Sequence, residues 1–146
     1  DGVILPDLPP EEARELNALA AERNIRTVFL LAPTSTSARR TAASSASTGF
    51  VYFVSVTGVT GARSQLPPEL AQQLSDVRQG SQVPVVVGFG ISTPAQASAL
   101  GKLADGVVVG SAIVSRIAEG GAVKSRAERV ARFVRSLRRG LGSKQG

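Results

Sequence analysis

Two short glycine-containing stretches carry the residue types best suited to chemistry: Gly88-Phe89-Gly90 and Gly110-Ser111. Each follows a run of valines, Val85-Val86-Val87 and Val107-Val108-Val109 respectively. A glycine after a strand lets backbone N–H groups approach a ligand with no Cβ in the way. The second stretch runs into Ser111–Ala118, which reads as a short helix set off by Gly120-Gly121 from a longer one. A helix N-terminus presents unpaired N–H groups and the positive end of its dipole, so the chemistry on offer is capture of an anion. Either stretch alone could be simple turn geometry. Together, ahead of a short extra helix, they form the pattern with which (β/α)8 barrels hold phosphate after their last two strands. Gly-x-Gly-x-x-Gly opening a helix and Gly-x-x-x-x-Gly-Lys-[Ser/Thr] are both missing, so dinucleotide and nucleoside-triphosphate sites are not supported.

Other chemistries are excluded by composition. With no histidine and no cysteine, imidazole acid/base work, the usual nucleophilic triads, thiolate zinc sites and disulfides are ruled out. Proton transfer would fall to Asp, Glu, Lys or Tyr. Tyr52 opens a second candidate region, running through Ser55-Val56-Thr57-Gly58-Val59-Thr60-Gly61-Ala62-Arg63. Its glycines, hydroxyls and arginine suit a lid, and equally a plain surface loop.

Strands buried on both faces of a parallel sheet are needed to position these residues. Five nearly continuous apolar runs supply them: Gly2–Leu8, Arg26–Ala32, Phe50–Val56, Val83–Ile91 and Gly106–Val109. Helical patterns lie between them. Pro9-Pro10-Glu11-Glu12 opens the first, with Ala13, Leu16, Leu19 and Ala20 as its apolar face. The second, Ser37–Ser45, is weak and Ser/Ala-rich, and Thr41–Thr48 reads as a soft helix end. Pro67-Pro68-Glu69 opens the third. Thr93-Pro94-Ala95-Gln96 opens the fourth with a capping box. The last runs from about Ser125 to Arg138. Right-handed crossovers then leave two architectures, an open five-stranded sheet or part of a barrel, with residues 1–146 as a single domain. At 146 residues the chain is short for a complete barrel of roughly 250. Asp1 in place of Met, followed at once by strand-like residues, predicts a piece of something longer.

The formal net charge of +6 comes mainly from arginines of the terminal helix, which also has an apolar face of Ala127, Val130, Phe133, Val134 and Leu137. That is the outer face of a packed helix; scarce aromatics and no binding motif argue against nucleic acid. No apolar run reaches the roughly 20 residues of a membrane span and no signal pattern opens the chain, so a cytoplasmic protein is expected.

Three stretches carry a family resemblance: Tyr52 through Ser55-Val56-Thr57-Gly58-Val59-Thr60-Gly61-Ala62-Arg63, then Pro84-Val85-Val86-Val87-Gly88-Phe89-Gly90-Ile91-Ser92, then Asp105-Gly106-Val107-Val108-Val109-Gly110-Ser111-Ala112-Ile113-Val114. They resemble the tryptophan synthase α subunits. Asp1-Gly2-Val3-Ile4-Leu5-Pro6-Asp7-Leu8-Pro9 is similar to that family's fourth strand and following loop. The resemblance implies a partial (β/α)8 TIM barrel, strands four to eight, with the first three β-α units absent. It implies retro-aldol cleavage of indole-3-glycerol phosphate to indole and glyceraldehyde 3-phosphate, in an α2β2 tetramer whose β subunit holds the pyridoxal phosphate. The α subunit itself would need no cofactor and no metal. Gly88, Phe89, Gly90, Gly110 and Ser111 match positions that hold the phosphate or line its pocket, and Gly61 matches another phosphate-side glycine. Tyr52 matches an active-site tyrosine, Thr60 a lid threonine, and Asp7 an aspartate near the β-subunit side.

The family's catalytic Glu and Asp belong to strand two and its following loop, and nothing here corresponds to them. The resemblance therefore implies a chain that binds phosphate and does not turn over alone. The alternative is a non-catalytic half-barrel that binds phosphosugars or a partner. A third reading, an indole-glycerol-phosphate or thiamine-phosphate synthase, is disfavoured by Gly-Phe-Gly-Ile and Gly-Val-Thr-Gly.

Overall fold

In the computed structural model, residues 1–54, 68–88 and 90–142 are described. Strand β1 (Gly2–Leu5) is followed by a 3-10 turn at Pro10–Glu12 and helix α1 (Arg14–Glu22). Then come β2 (Arg26–Leu31), α2 (Ser37–Ala46), β3 (Val51–Val54), α3 (Pro68–Gly80), β4 (Val85–Gly88), α4 (Pro94–Gly101), β5 (Gly106–Val108), α5 (Ser111–Ala118) and α6 (Val123–Leu141).

All neighbouring strands are parallel and the order is β1-β2-β3-β4-β5. A doubly wound open sheet would reverse its order at a switch point. This one never does, and its helices gather on one face, which is the wall of a (β/α)8 barrel. Alternation along the strands shows the layering. Phe29 and Leu31, Val51 and Phe53, and Val85 and Val87 are buried against Ala43, Leu74, Leu100, Phe133 and Leu137 from the helices. The intervening residues face the other way in registered rows: Leu30, Tyr52, Val86 and Gly106 in one, Val54, Gly88 and Val108 in the next. This inner face is less covered, and at the β1 edge Ile4 is 49% exposed.

Helix starts follow local chemistry. Thr93 caps α4, its hydroxyl accepting from Gln96 N while the Gln96 side chain accepts from Thr93 N, with Pro94 in the first turn. Helices α4 and α6 then cross very closely. A Cβ on Gly140 would lie 2.5 Å from the Pro94 carbonyl oxygen, and one on Gly101 would lie 2.6 Å from Leu141 Cδ2.

Three sequence expectations are corrected. The run expected as strand Gly2–Leu8 stops pairing at Leu5, before Pro6. Pro10–Glu12 forms its own 3-10 turn, whose end at Ala13 starts α1 afresh. The soft helix end at Thr41–Thr48 is a firm fastening: α2 continues to Ala46. Ser47 Oγ accepts from Phe29 N at 3.2 Å and donates to the Ala43 carbonyl at 2.8 Å. Thr48 Oγ1 accepts from Thr27 N at 2.9 Å. These hydroxyls satisfy β2 amides before β3 begins to pair, the accounting that buried backbone requires.

Candidate phosphate-side site

Parallel strands put all their C-terminal ends on one edge of the sheet, and the candidate residues collect there. Gly88 ends β4 and lies directly opposite Val108, the last residue of β5. Gly90 follows with φ of 67°, a left-handed conformation that glycine adopts without strain. Gly110 is the N-cap of α5, and Ser111 is its exposed first residue. The Gly110 carbonyl accepts from Ile113 N at 2.9 Å and Val114 N at 3.1 Å. No acceptor for the Ser111 and Ala112 amides is present among the described residues, and Gly110 has no side chain to cap them. The structure thus brings the two glycine exits side by side, with two amides at the positive end of a helix dipole.

The two glycines do different jobs. A Cβ on Gly110 would meet nothing within 4 Å, so the space before α5 is open. A Cβ on Gly88 would lie 2.7 Å from Tyr52 Oη, 2.9 Å from Tyr52 Cε2 and 2.9 Å from Val108 Cβ. Gly88 is therefore the seat on which the Tyr52 ring lies, on the sheet's inner face. Burial raises the Tyr52 pKa above its ordinary 10.0, keeping the phenol neutral. A raised folded-state pKa gives stability that is complete below the unfolded value and is lost as pH rises through the folded one. Tyr52 is the one tyrosine, and there is no tryptophan, so tyrosinate absorbance near 295 nm reports it alone. The expected result is an absorbance midpoint above 10.0 in the native chain that falls back in denaturant. Equal midpoints in the two states would contradict the burial.

Asp7 is exposed in the loop after β1, on the same edge of the sheet. Phe89, Thr60 and Gly61 lie outside the described residues, as does the candidate lid from Ser55 to Arg63. No group of three or more His, Cys, Asp or Glu that could hold a metal occurs among the described residues, and none of their helices is long and apolar enough to cross a membrane.

Sequence reasoning missed one cluster at the opposite edge of the same two strands. Asp105 precedes β5 and figures in the sequence only as the first residue of the stretch Asp105-Gly106-Val107-Val108-Val109. In the structure its Oδ2 accepts from Val85 N at 2.9 Å and its Oδ1 accepts from Arg78 Nη2 at 2.8 Å. Its own amide donates to the Val85 carbonyl at 2.8 Å. The available signal was an acid directly ahead of an apolar strand. Beside it lies an open hollow of about 600 Å³ bordered by Arg78, Lys102 and Asp105.

Comparison with known proteins gives the family. Residues 1–141 match the family model described as tryptophan synthase alpha chain. The chain is 49% identical over 143 residues to the tryptophan synthase alpha chain of Geobacter sulfurreducens, covering 98% of this chain and 54% of that protein. It is 46% identical over 142 residues to that of Synechococcus elongatus, covering 97% and 52%. A crystal structure of the alpha chain from Legionella pneumophila superposes with a TM-score of 0.79 at 30% identity, covering all of this chain and 53% of that one. The tryptophan synthase α2β2 complex from Pyrococcus furiosus gives a TM-score of 0.81 at 39% identity, covering 94% and 55%. The chain spans about half the length of the curated relatives it matches. With a family match across nearly its whole length and a barrel-wall fold shared with these structures, the chain belongs to the tryptophan synthase alpha chain family.

Proposed function

We propose that this chain supplies the phosphate-binding side of a site that cleaves indole-3-glycerol phosphate to indole and glyceraldehyde 3-phosphate, for L-tryptophan biosynthesis in the cytoplasm. The observation that carries the reading is the adjacency of the Gly88 and Gly110 exits, with the Ser111 and Ala112 amides lacking acceptors among the described residues. Amides aimed at a phosphate act through fixed dipoles, and a helix N-terminus adds to their pull. Phe89, Gly90, Thr60 and Gly61 complete the phosphate and lid side, and neutral Tyr52 offers the indole ring an apolar wall with a hydroxyl.

None of the acids here serves as the catalytic Glu or Asp, so this segment binds without turning over. It requires no cofactor or metal of its own. The pyridoxal phosphate belongs to the β subunit, to which the full α chain docks in an α2β2 tetramer. Exposed Ile4 and half-buried Leu30, Val54, Val86 and Val108 on the inner face favour one other reading, a non-catalytic half-barrel interaction module.

Titrating the chain with glycerol 3-phosphate while following backbone amide resonances tests the proposal. Saturable shifts are expected at Gly88, Gly90, Gly110 and Ser111, with no indole released from indole-3-glycerol phosphate. Shifts confined to other segments would overturn the phosphate site, and indole release by this chain alone would overturn the placement of the acids elsewhere.

A further inference from the structure

We infer that Asp105 is a positioning residue for the phosphate side: from the far edge of the sheet it fixes the register that brings the two glycine exits level. The inference rests on the phosphate reading above and goes beyond it, because Asp105 touches no part of the proposed ligand site. Its carboxylate and amide close a ring with Val85. Val85 N donates to Oδ2 at 2.9 Å, and Asp105 N donates to the Val85 carbonyl at 2.8 Å. The remaining oxygen takes Arg78 Nη2 at 2.8 Å, and Arg78 Nη1 reaches the Leu103 carbonyl at 3.4 Å, so the last turn of α3 is tied to the same point.

From this anchor the pairing runs outward: Val86 opposite Gly106, Val87 opposite Val107, Gly88 opposite Val108. The paired stretch is only three residues long on β5, so few ladder bonds hold it. A strand slip that keeps the same faces moves two residues, about 6.6 Å along the strand. Gly88 would then leave Val108, and the amides of α5 would no longer meet the β4 exit around one phosphate. Bonds to a charged acceptor are stronger than neutral ones, and Asp105 spends one of them on the Val85 amide at the start of β4.

The test compares Asp105→Ala, Asp105→Asn and Arg78→Met in this chain. Glycerol 3-phosphate affinity is read by amide shifts, and cross-strand contacts are read by nuclear Overhauser effects. Asp105→Ala is expected to weaken binding by about tenfold or more, the scale of one charge-assisted bond. It should also lose the Gly88–Val108 contact while keeping the Ile4–Val28 contact of the distant β1–β2 pair. Asp105→Asn retains an acceptor for Val85 N and is expected to recover most of the affinity, which a general loss of stability would not allow. Arg78→Met, which severs only the tie to α3, is expected to fall between them. Wild-type affinity in Asp105→Ala with the Gly88–Val108 contact intact overturns the inference. If that variant does not fold, unchanged affinity in both other variants overturns it. If the wild-type chain binds no glycerol 3-phosphate, the phosphate reading fails by itself. A persisting Gly88–Val108 contact in Asp105→Ala then decides separately against the register lock.

Discussion

Gly88→Ala is expected to destabilise the chain by about 1–3 kcal/mol, the usual range for overpacking, and to abolish measurable glycerol 3-phosphate binding. The added methyl would sit 2.7 Å from Tyr52 Oη and 2.9 Å from Val108 Cβ. Tyrosine can swing its ring aside. Val108 Cβ cannot move without its backbone, so the β4–β5 spacing must open at the point where the exits converge. Gly110→Ala is the matched control for stability. Its methyl meets no protein atom within 4 Å, so the expected loss of stability is only that of the poorer N-cap propensity of alanine, about 0.5–1 kcal/mol. Thermal denaturation of both variants and ligand titration of Gly88→Ala check this. Equal losses of stability at the two glycines would show that the Tyr52 seat is not what Gly88 provides.

Phe133→Ala is expected to cost about 3–5 kcal/mol, as large aromatic truncations in cores do. Phe133 is 8% exposed on α6 and belongs to the cluster that backs the sheet. The Arg116 guanidinium of α5 lies 3.9 Å from its ring centroid, a contact worth about 0.5–1 kcal/mol at a partly exposed site. The same substitution therefore removes a core anchor and one tie holding the short helix α5. A second tie remains, because Arg129 of α6 donates to the Arg116 carbonyl at 2.9 Å and the Gly120 carbonyl at 2.9 Å. A fall in melting temperature of about 10 °C is expected, with α5 amides exchanging faster than those of β2 and β3. A fall of only a degree or two would mean that α6 is anchored elsewhere.

Much of the site was legible because glycines, valine runs and caps act locally. The Thr93–Gln96 box, Pro94 in the first turn and the short helix after Gly110 are each set by neighbours within four residues, and all three are found. Strand order was legible only as two alternatives. The unbroken sequence β1-β2-β3-β4-β5 and the one-sided helices decided between them. Strand ends were read too long, because apolar runs do not show where pairing stops. Pro84 has no amide to give β3, so β4 begins at Val85, while the Pro84 carbonyl still accepts from Val51 N at 2.9 Å. Arg78 and Asp105 are 27 residues apart, and no local pattern links an arginine late in a helix to an acid before a later strand. Tyr52 could be placed on a strand but not against Gly88, since that contact depends on β3–β4 register.

The crossing at Gly140 gives the terminal helix a mechanical part in events at the other end of β4. Pro94, whose carbonyl oxygen would lie 2.5 Å from a Cβ on Gly140, starts α4 four residues after Gly90. The last turn of α6 thus works as a thumb held on the first turn of α4. Proteolytic trimming that removed Gly140 and Leu141 would lift that thumb, and the β4 exit would gain freedom although the cut lies more than forty residues downstream of it in sequence.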